Sequence, residues 1–162
     1  MSLHGPSNKY GQRSVPMVDS EGTILTATNE EINNAADESA NTELVTTTNA
    51  ITAAESGKTF VLNSATAFVS TLPALAVGLR YKFYCGATEV TGGNHTIVPT
   101  DDNTIHGECT VAGALVAAAA EGSINLVADS FIQGDWVEVF CDGVGWYVSG
   151  QVVTSGGCTF TT

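Results

Sequence analysis

Basic side chains are scarce in this 162-residue chain. Five lysines and arginines stand against 17 aspartates and glutamates, which gives a formal net charge of −12 at pH 7. So few cations cannot neutralise a run of phosphates, and the composition therefore argues against nucleic-acid binding. It also argues against an anionic membrane surface, which attracts clusters of lysine and arginine. We expect neither nucleic acid nor a membrane among the partners.

Long hydrophobic segments are missing as well. The longest run of small and apolar residues, 111–120, is about half of what a bilayer-spanning helix needs. The first 14 residues contain no apolar stretch like the one in a secretory signal. We therefore expect no membrane-spanning helix and find no support for export through a secretory signal.

Cysteine is sparse, and its spacing does not suggest a metal site. No two of the four cysteines form a C-x-x-C pair, and no histidine lies at zinc-finger spacing from them. We interpret them as small buried hydrophobic residues in strands, although disulfides remain open. The four are Cys85, Cys109, Cys141 and Cys158.

Motifs of the common enzyme classes are also lacking. The fragment ESGKT at 55–59 ends like a phosphate-binding loop, but the first glycine of that motif is replaced by Thr52. The β-favouring FVLN follows it where a helix is required, so we expect a turn between two strands and no nucleotide. The sequence contains neither G-x-S-x-G nor H-E-x-x-H. We expect no cofactor and no enzymatic activity.

Histidines near acidic residues are the remaining candidates for chemistry. His95 and His106 flank Asp101 and Asp102, so a metal site or an acid–base pair is conceivable there. Nothing in the spacing fixes the geometry of these four residues. Histidine at a strand edge is the more common situation, and we predict no metal or catalytic site.

The stretch from Asp135 to Gln151 indicates how the chain folds. Its sequence, DWVEVFCDGVGWYVSGQ, places two β-favouring arms around the turn 142–145 and predicts a β-hairpin. Both tryptophans of the chain lie in this hairpin, which therefore carries much of the apolar area available for burial. We expect the C-terminal part of the core to be built on it.

Short β-favouring segments with turn residues between them continue through the rest of the chain from residue 45. Their spacing of roughly 8 to 12 residues is typical of an all-β sandwich or barrel, and we predict a small body over 45–162 of jelly-roll or tulip-like type. The predicted strands are 45–52, 58–62, 67–72, 79–85, 94–98, 104–112, 114–118, 123–128, 135–141, 145–153 and 158–161.

The first 44 residues differ from this body. Residues 1–20 are polar and interrupted by glycine and proline, which is typical of an extended arm. A capping-box pattern at 28–31, followed by Ile32, Ala35 and Ala36, predicts one or two helical turns. We therefore divide the chain into an N-terminal arm with one short helix, 1–44, and the β body, 45–162.

An ordered series of short strings then points to a family. The strings are S-G-K-x-F-x-L, T-L-P, G-L-x-Y-x-F, G-N-H-T-I, G-D-W-V and G-W-Y-V-S-G, and they lie within 51–83, 93–99 and 132–150. The block from about 45 to 162 resembles small virion proteins of tailed bacteriophages, most of all the head decoration, or capsid cement, proteins. Similar strings also occur in phage tail-fibre and spike proteins.

The resemblance implies a structural virion protein without enzymatic activity. Such a protein would bind the outer surface of a phage capsid as a homotrimer, contact the major capsid protein and brace the shell by bridging its subunits. The alternative is a trimeric tail-fibre or spike module for attachment to the host surface. No heptad repeat is present in the arm to serve as the trimeric attachment segment that a fibre module would have upstream.

Residue type indicates which side chains are candidates for contacts. Aromatic, arginine and methionine side chains are enriched where interfaces bury area, and the cations of an acidic chain are natural partners for a neighbour's carboxylates. For contacts with the capsid or with another subunit, the arm provides Tyr10, Arg13, Val15, Pro16 and Met17, and the body provides Lys58, Arg80 and Lys82.

Overall fold

The structure, a computed structural model, describes residues 38–102 and 104–162. Most of the predicted arm, including its five candidate contact residues and its predicted helical turns, lies outside the described residues. At the beginning of the described part, a short 3-10 helix, Glu38–Asn41, leads into the first strand. Ser39–Thr162 form one compact unit.

The described residues fold into β-strands with two short 3-10 helices, the second at Ala53–Glu55. The strands are β1 (Thr42–Val45), β2 (Asn49–Ala50), β3 (Thr59–Leu62), β4 (Val69–Thr71), β5 (Val77–Cys85), β6 (His95–Val98), β7 (Ile105–Val111), β8 (Ala114–Glu121), β9 (Ser123–Leu126), β10 (Trp136–Asp142), β11 (Trp146–Val152) and β12 (Cys158–Thr161).

Two sheets contain these strands. The larger sheet has seven strands in the order β1-β3-β5-β10-β11-β7-β8, and the smaller has five in the order β12-β9-β6-β4-β2. Burial alternates along strands such as β3, β5 and β10, so one face of the sheet is buried while the other remains accessible. The prediction of an all-β fold is confirmed.

Consecutive strands alternate between the two sheets in the first half of the body. Strands β1, β3 and β5 lie side by side and parallel in the larger sheet, while β2, β4 and β6 do the same in the smaller one. The chain from β1 to β6 therefore winds as a coil with one strand per sheet in each turn. The second half is built mainly of antiparallel pairs.

This winding corrects one predicted strand. Residues 45–52 were predicted as a single strand because the segment is rich in β-favouring threonine. In the structure β1 ends at Val45, residues 46–48 are exposed, and β2 begins at Asn49 in the other sheet. The prediction was wrong because local β-propensity does not register where a chain leaves one sheet for the other.

A single core fills the space between the sheets. Phe60, Tyr81, Phe83 and Trp146 of the larger sheet are fully buried, and they share one cluster with apolar residues of the smaller sheet such as Ile124. The ring centroids of Phe60 and Phe83 lie 5.4 Å apart in a stacked arrangement. Aromatic packing of this kind supplies a large part of the buried area in a chain with few aromatic residues.

The predicted hairpin is confirmed. Strands β10 and β11 pair antiparallel, from Trp136 opposite Gln151 to Cys141 opposite Trp146. The carboxylate of Asp142 accepts hydrogen bonds from the backbone N–H groups of Val144 and Gly145, at 2.8 and 3.0 Å, and so stabilises the turn. The two tryptophans lie on opposite faces, with Trp146 in the core and Trp136 only partly buried on the other side.

Buried Asp135 forms hydrogen bonds with the backbone at the open end of this hairpin, where β10 begins and β11 ends. Its side chain accepts hydrogen bonds from the backbone N–H of Ile132 at 3.0 Å and of Val153 at 2.9 Å. Because Asp135 is buried, these bonds compensate for the loss of hydration of its carboxylate. They join the residue before β10 to the residue after β11.

All four cysteines are buried in strands of the described body and carry free thiols. They lie in β5, β7, β10 and β12, and each contributes to the shared core. The interpretation of the cysteines as small buried hydrophobic residues is confirmed.

Candidate functional site

The outer face of the seven-stranded sheet, the face directed away from the core, carries an unusual set of side chains. Burial alternates along β5 and β10, so Arg80, Lys82 and Tyr84 share this face with Trp136 and Phe140. The two strands are antiparallel neighbours, and the register places Tyr84 opposite Trp136 and Arg80 opposite Phe140. We call these five residues the cation–aromatic cluster.

Lys82 lies at the centre of the cluster. Its Nζ atom is 4.3 Å from the ring centroid of Trp136 and 4.8 Å from that of Tyr84. Both distances are within the range of favourable cation–π interaction. Among the described carboxylates, none forms an ion pair with Lys82. Its ammonium group is therefore held in place by two rings and remains available for an acceptor from another molecule.

Arg80 contributes the second cation. Its Cζ atom lies 5.5 Å from the ring centroid of Phe140, and its Nε atom is 3.4 Å from a carboxylate oxygen of Glu138. The arginine side chain is 61% exposed, so this ion pair lies in water and adds little stability. The pair nevertheless directs the guanidinium group across the sheet surface, where its remaining N–H donors are accessible.

The aromatic surface continues from the cluster onto β11 and β7. The rings of Tyr147 and His106 have centroids 6.2 Å apart, and Tyr147 follows Phe140 across the sheet. The phenol of Tyr147 donates a hydrogen bond of 3.0 Å to Asp142, and this bond raises the pKa of Tyr147. Ordered aromatic rings with fixed polar groups thus extend over four neighbouring strands.

The chemistry of this face is that of an interaction surface. Aromatic and arginine side chains are enriched where protein interfaces bury area, because rigid rings bury much surface at a low cost in side-chain entropy. Two cations add electrostatic complementarity to a partner carrying carboxylates. In an acidic chain, this face is suited to an acidic partner surface, whereas most of the other exposed charges would repel one.

Lys58 lies elsewhere and is engaged within the chain. Its ammonium group donates to Glu43 at 2.8 Å and to Glu55 at 3.1 Å, and the hydrogen bond to Glu43 is the main cause of its raised pKa. Burial raises the pKa of Glu55, but hydrogen bonds from Thr52 and from Lys58 outweigh that effect and hold it at about 2. Lys58, which directly precedes β3, thus joins Glu43 of β1 to Glu55 of the 3-10 helix between β2 and β3.

The three cations of the body that the sequence suggests as contact residues, Lys58, Arg80 and Lys82, therefore lie in two different environments. The structure brings Arg80 and Lys82 together on one face and places Lys58 on two carboxylates of its own chain. The sequence prediction omitted the aromatic members of the cluster. The sequence did contain a signal for them. Trp136, Glu138 and Phe140 are two residues apart in one strand and so lie on the same face, and the charged Glu138 indicates that this face is accessible.

The two body histidines do not come together. His95 lies on β6 in the smaller sheet and is buried, whereas His106 lies on the outer face of the larger sheet. Asp101 and Asp102 are exposed in the loop before β7. Within residues 38–102 and 104–162, no group of three or more histidine, cysteine, aspartate or glutamate side chains is arranged to hold a metal ion.

His95 has a distinct environment. Its ring packs against that of Phe68 in a tilted arrangement with centroids 4.0 Å apart. Its Nε2 atom lies 3.3 Å from the carbonyl oxygen of Thr66, and its Nδ1 atom has no hydrogen-bond partner. Burial lowers the pKa of His95 below its ordinary value of 6.5, and the carbonyls of Thr66 and Ser64 offset this only in part. The folded state thus favours the neutral imidazole.

We expect this burial to make the protein less stable in weak acid. The unfolded chain binds a proton on His95 below about pH 6.5, while the folded chain resists it. The free energy of unfolding should therefore fall as the pH drops from 6.5 towards the lower folded-state pKa. Urea denaturation at pH 7.5 and 5.5 measures the difference.

Two variants isolate the contribution of His95. His95→Gln should remove most of the loss between pH 7.5 and 5.5, whereas His106→Gln, on the outer face, should retain it. An equal loss in His95→Gln and in the unmodified protein would show that another group is responsible.

Among the described residues, no helix has the length and hydrophobicity required to cross a membrane.

No protein-family model, curated protein or solved structure matches the chain.

Proposed function

We propose that the chain is a structural virion protein that binds the outer surface of a phage capsid as a trimer and stabilises the shell by bridging major capsid protein subunits. The observation that carries the proposal is the cation–aromatic cluster, an ordered interaction surface on one face of the body. The family resemblance over 45–162 supplies the kind of partner. No catalytic step is part of this role.

Electrostatics support this surface as the attachment face. Lys82 is positioned by the rings of Trp136 and Tyr84 and needs only a partner carboxylate to complete an ion pair. Ordering the side chain in advance reduces the entropy lost on binding. A trimer would present three such surfaces at once, so a modest contact from each copy would give tight attachment.

The finer description of the fold belongs to the same proposal. It comprises a small β-sandwich or barrel of jelly-roll or tulip-like type, an extended N-terminal arm and one short helix. A jelly roll consists of antiparallel Greek keys. Because β1, β3 and β5 are parallel, as are β2, β4 and β6, the jelly roll is the less favoured of the two types.

The alternative function is a trimeric tail-fibre or spike module for host-surface attachment. The coil from β1 to β6 favours it, since strands wound in parallel can be stacked along an axis by further turns, as in solenoid proteins. In that role the cluster would contact a receptor on the host cell. Capsids and host cells are therefore the two binding partners to compare.

Substitutions in the cluster test the proposed attachment face. Lys82→Ala and Trp136→Ala should each weaken binding to bare capsids of the phage that encodes the chain by about tenfold or more, because a central aromatic or cationic anchor is typically worth about 2 kcal/mol. Co-sedimentation with the capsids measures occupancy. The matched control is Lys58→Ala, which also removes one lysine charge but from a side chain engaged within its own chain.

The same assay compares the cluster with the predicted arm. If the arm is the anchor, the double variant Arg13→Ala with Tyr10→Ala should reduce occupancy while Lys82→Ala leaves it unchanged. Equal losses in Lys82→Ala and Lys58→Ala would indicate a general charge effect and would contradict a specific role of the cluster.

A further inference from the structure

Strand β8 forms one edge of the seven-stranded sheet and lacks the usual protection of an edge. Its sequence, ALVAAAAE, contains no proline and no lysine, and its only charge is the terminal Glu121. Long, uncharged edge strands expose backbone groups that can pair with another strand. The other sheet edges are shorter, with four residues in β1, two in β2 and four in β12.

The hairpin geometry determines which backbone groups of β8 point outward. Strands β7 and β8 are joined by a two-residue turn, Ala112–Gly113, with φ angles of 51° and 81°. In such a hairpin the flanking residues Val111 and Ala114 form a hydrogen-bonded pair. Along an antiparallel ladder, hydrogen-bonded pairs alternate with pairs that exchange no hydrogen bond. The N–H and C=O groups of Leu115, Ala117 and Ala119 therefore point away from β7.

Hydrogen bonds on the opposite side of β7 agree with this alternation. Thr104 accepts a bond from the N–H of Trp146 at 2.8 Å, and the N–H of Ala112 donates to Val152 at 2.9 Å. The even-numbered residues that flank β7 thus form backbone hydrogen bonds with β11. The backbone groups of the odd-numbered residues of β7 point the other way and can pair with β8, as the hairpin requires.

Within residues 38–102 and 104–162, no strand pairs with the outward groups of β8. Ala117 and Ala119 are exposed and small, and Leu115 is 67% exposed on the same face. At Ala120, with φ of 64°, a bulge shifts the register and ends the regular edge. Strand β12 lies close to the end of β8 at this corner, where the N–H of Gly122 donates to the carbonyl oxygen of Thr161 at 2.9 Å.

We propose that this edge is a self-association site, at which the β8 strands of two copies of the chain pair antiparallel about Ala117. A two-fold axis perpendicular to the sheet places Ala117 opposite Ala117 and Leu115 opposite Ala119. The pair 115–119 occurs twice, so there are three pairs of residues whose backbone groups point outward. Each pair exchanges two hydrogen bonds, about six in total. The two seven-stranded sheets become continuous.

The geometry of the edge favours a second copy as the occupant, because the three residues with outward backbone groups are centred on Ala117 and an identical antiparallel edge can pair with all of them. Two chains of net charge −12 repel each other over most of their surfaces, and β8 is a place where they can approach without bringing carboxylates into contact. Glu108 of β7 lies opposite Ala117, so it would be roughly three strand spacings, about 14 Å, from Glu108 of the second copy. This distance exceeds the Debye length in physiological salt, so the repulsion between the two carboxylates is largely screened. The side chains that meet are small and apolar.

The contact is weak and has its own symmetry. Pairing of two single edge strands buries less than the roughly 1,000 Å² typical of a stable interface, so association is expected only at high concentration. A two-fold contact joins copies in pairs and is distinct from the three-fold contact of the proposed trimer. The inference does not depend on the proposed capsid role.

Cysteine cross-linking of the full chain without capsids tests the pairing. In Ala117→Cys the two introduced thiols face each other across the axis, at a Cα separation of about 5.5 Å that allows a disulfide. Oxidised glutathione should convert the two thiols into one disulfide and release two reduced glutathione molecules. The expected product is a covalent dimer, at least about tenfold more abundant than in the control.

Ala114→Cys is the matched control because it is exposed on the same strand but lies away from the axis. The native cysteines are buried and should not interfere. A second test uses sedimentation equilibrium up to about 1 mM, where Ala117→Pro, which removes an outward N–H, should weaken the concentration-dependent increase in mass about tenfold or more. Equal cross-linking at 114 and 117, or a mass that does not increase with concentration, would overturn the proposal.

Discussion

Trp146→Ala is expected to lower the free energy of unfolding by about 3–5 kcal/mol, because deletion of a large buried side chain leaves a cavity that the core fills only in part. Trp146 is fully buried, and its ring lies 5.9 Å from that of Tyr81. It comes from β11 and occupies the centre of the shared core. Chemical denaturation with urea measures the loss, and a fall in melting temperature of about 10 °C should accompany it.

Two further variants define the cause of this loss. Trp146→Phe should cost only about 1–2 kcal/mol, since it keeps a ring in the core and removes an indole N–H that has no hydrogen-bond partner in the described structure. Tyr147→Ala, next in sequence but 44% exposed, should cost about 1 kcal/mol or less. If Tyr147→Ala were as damaging as Trp146→Ala, burial would not explain the effect.

Gly107→Ala should be about as damaging, with a loss of about 4 kcal/mol or more in the free energy of unfolding. Gly107 lies in β7 beside Val148 of β11 and has a φ of 115°. A Cβ atom at this position would lie 2.3 Å from the carbonyl oxygen of Val148. An alanine would therefore both strain the backbone and force apart β11 and β7, the pair that connects β7 and β8 to the rest of the larger sheet.

Gly113→Ala separates these two causes. Gly113, in the turn between β7 and β8, also has a positive φ, 81°, but an added Cβ would have no atom within 4 Å. It should cost about 1 kcal/mol from backbone strain alone. A loss in Gly107→Ala no larger than in Gly113→Ala would show that the close approach of β7 and β11 is relieved without penalty.

Most of the strands could be predicted from the sequence because their signals are local. Alternation in WVEVF, the turn residues 142–145 and the compact run WYV together define the hairpin of β10 and β11, and the structure contains it. Likewise, the β-favouring FVLN after Lys58 correctly predicted β3 instead of the helix of a phosphate-binding loop. Period and turn chemistry are sufficient for such elements.

The arrangement of the strands could not be predicted in this way. Parallel neighbours such as β3 and β5 are brought together by the path of the chain through both sheets, and no local pattern encodes that path. The cation–aromatic cluster depends on the same non-local pairing, because β5 and β10 are separated by 50 residues of sequence or more. The alternation of residues along each strand was available in the sequence, but it was not used to assign Trp136 to the outer face, and only the register places Lys82 beside Trp136.

The most direct measurement is binding of the purified protein to bare capsids of the proposed phage, with the mass of the free protein determined alongside. We expect a trimer of about three times the 16.7 kDa chain mass. We also expect this trimer to bind the outside of the capsids and to raise their melting temperature. A protein that does not bind capsids but binds host cells would contradict the proposed capsid role and favour the fibre or spike alternative.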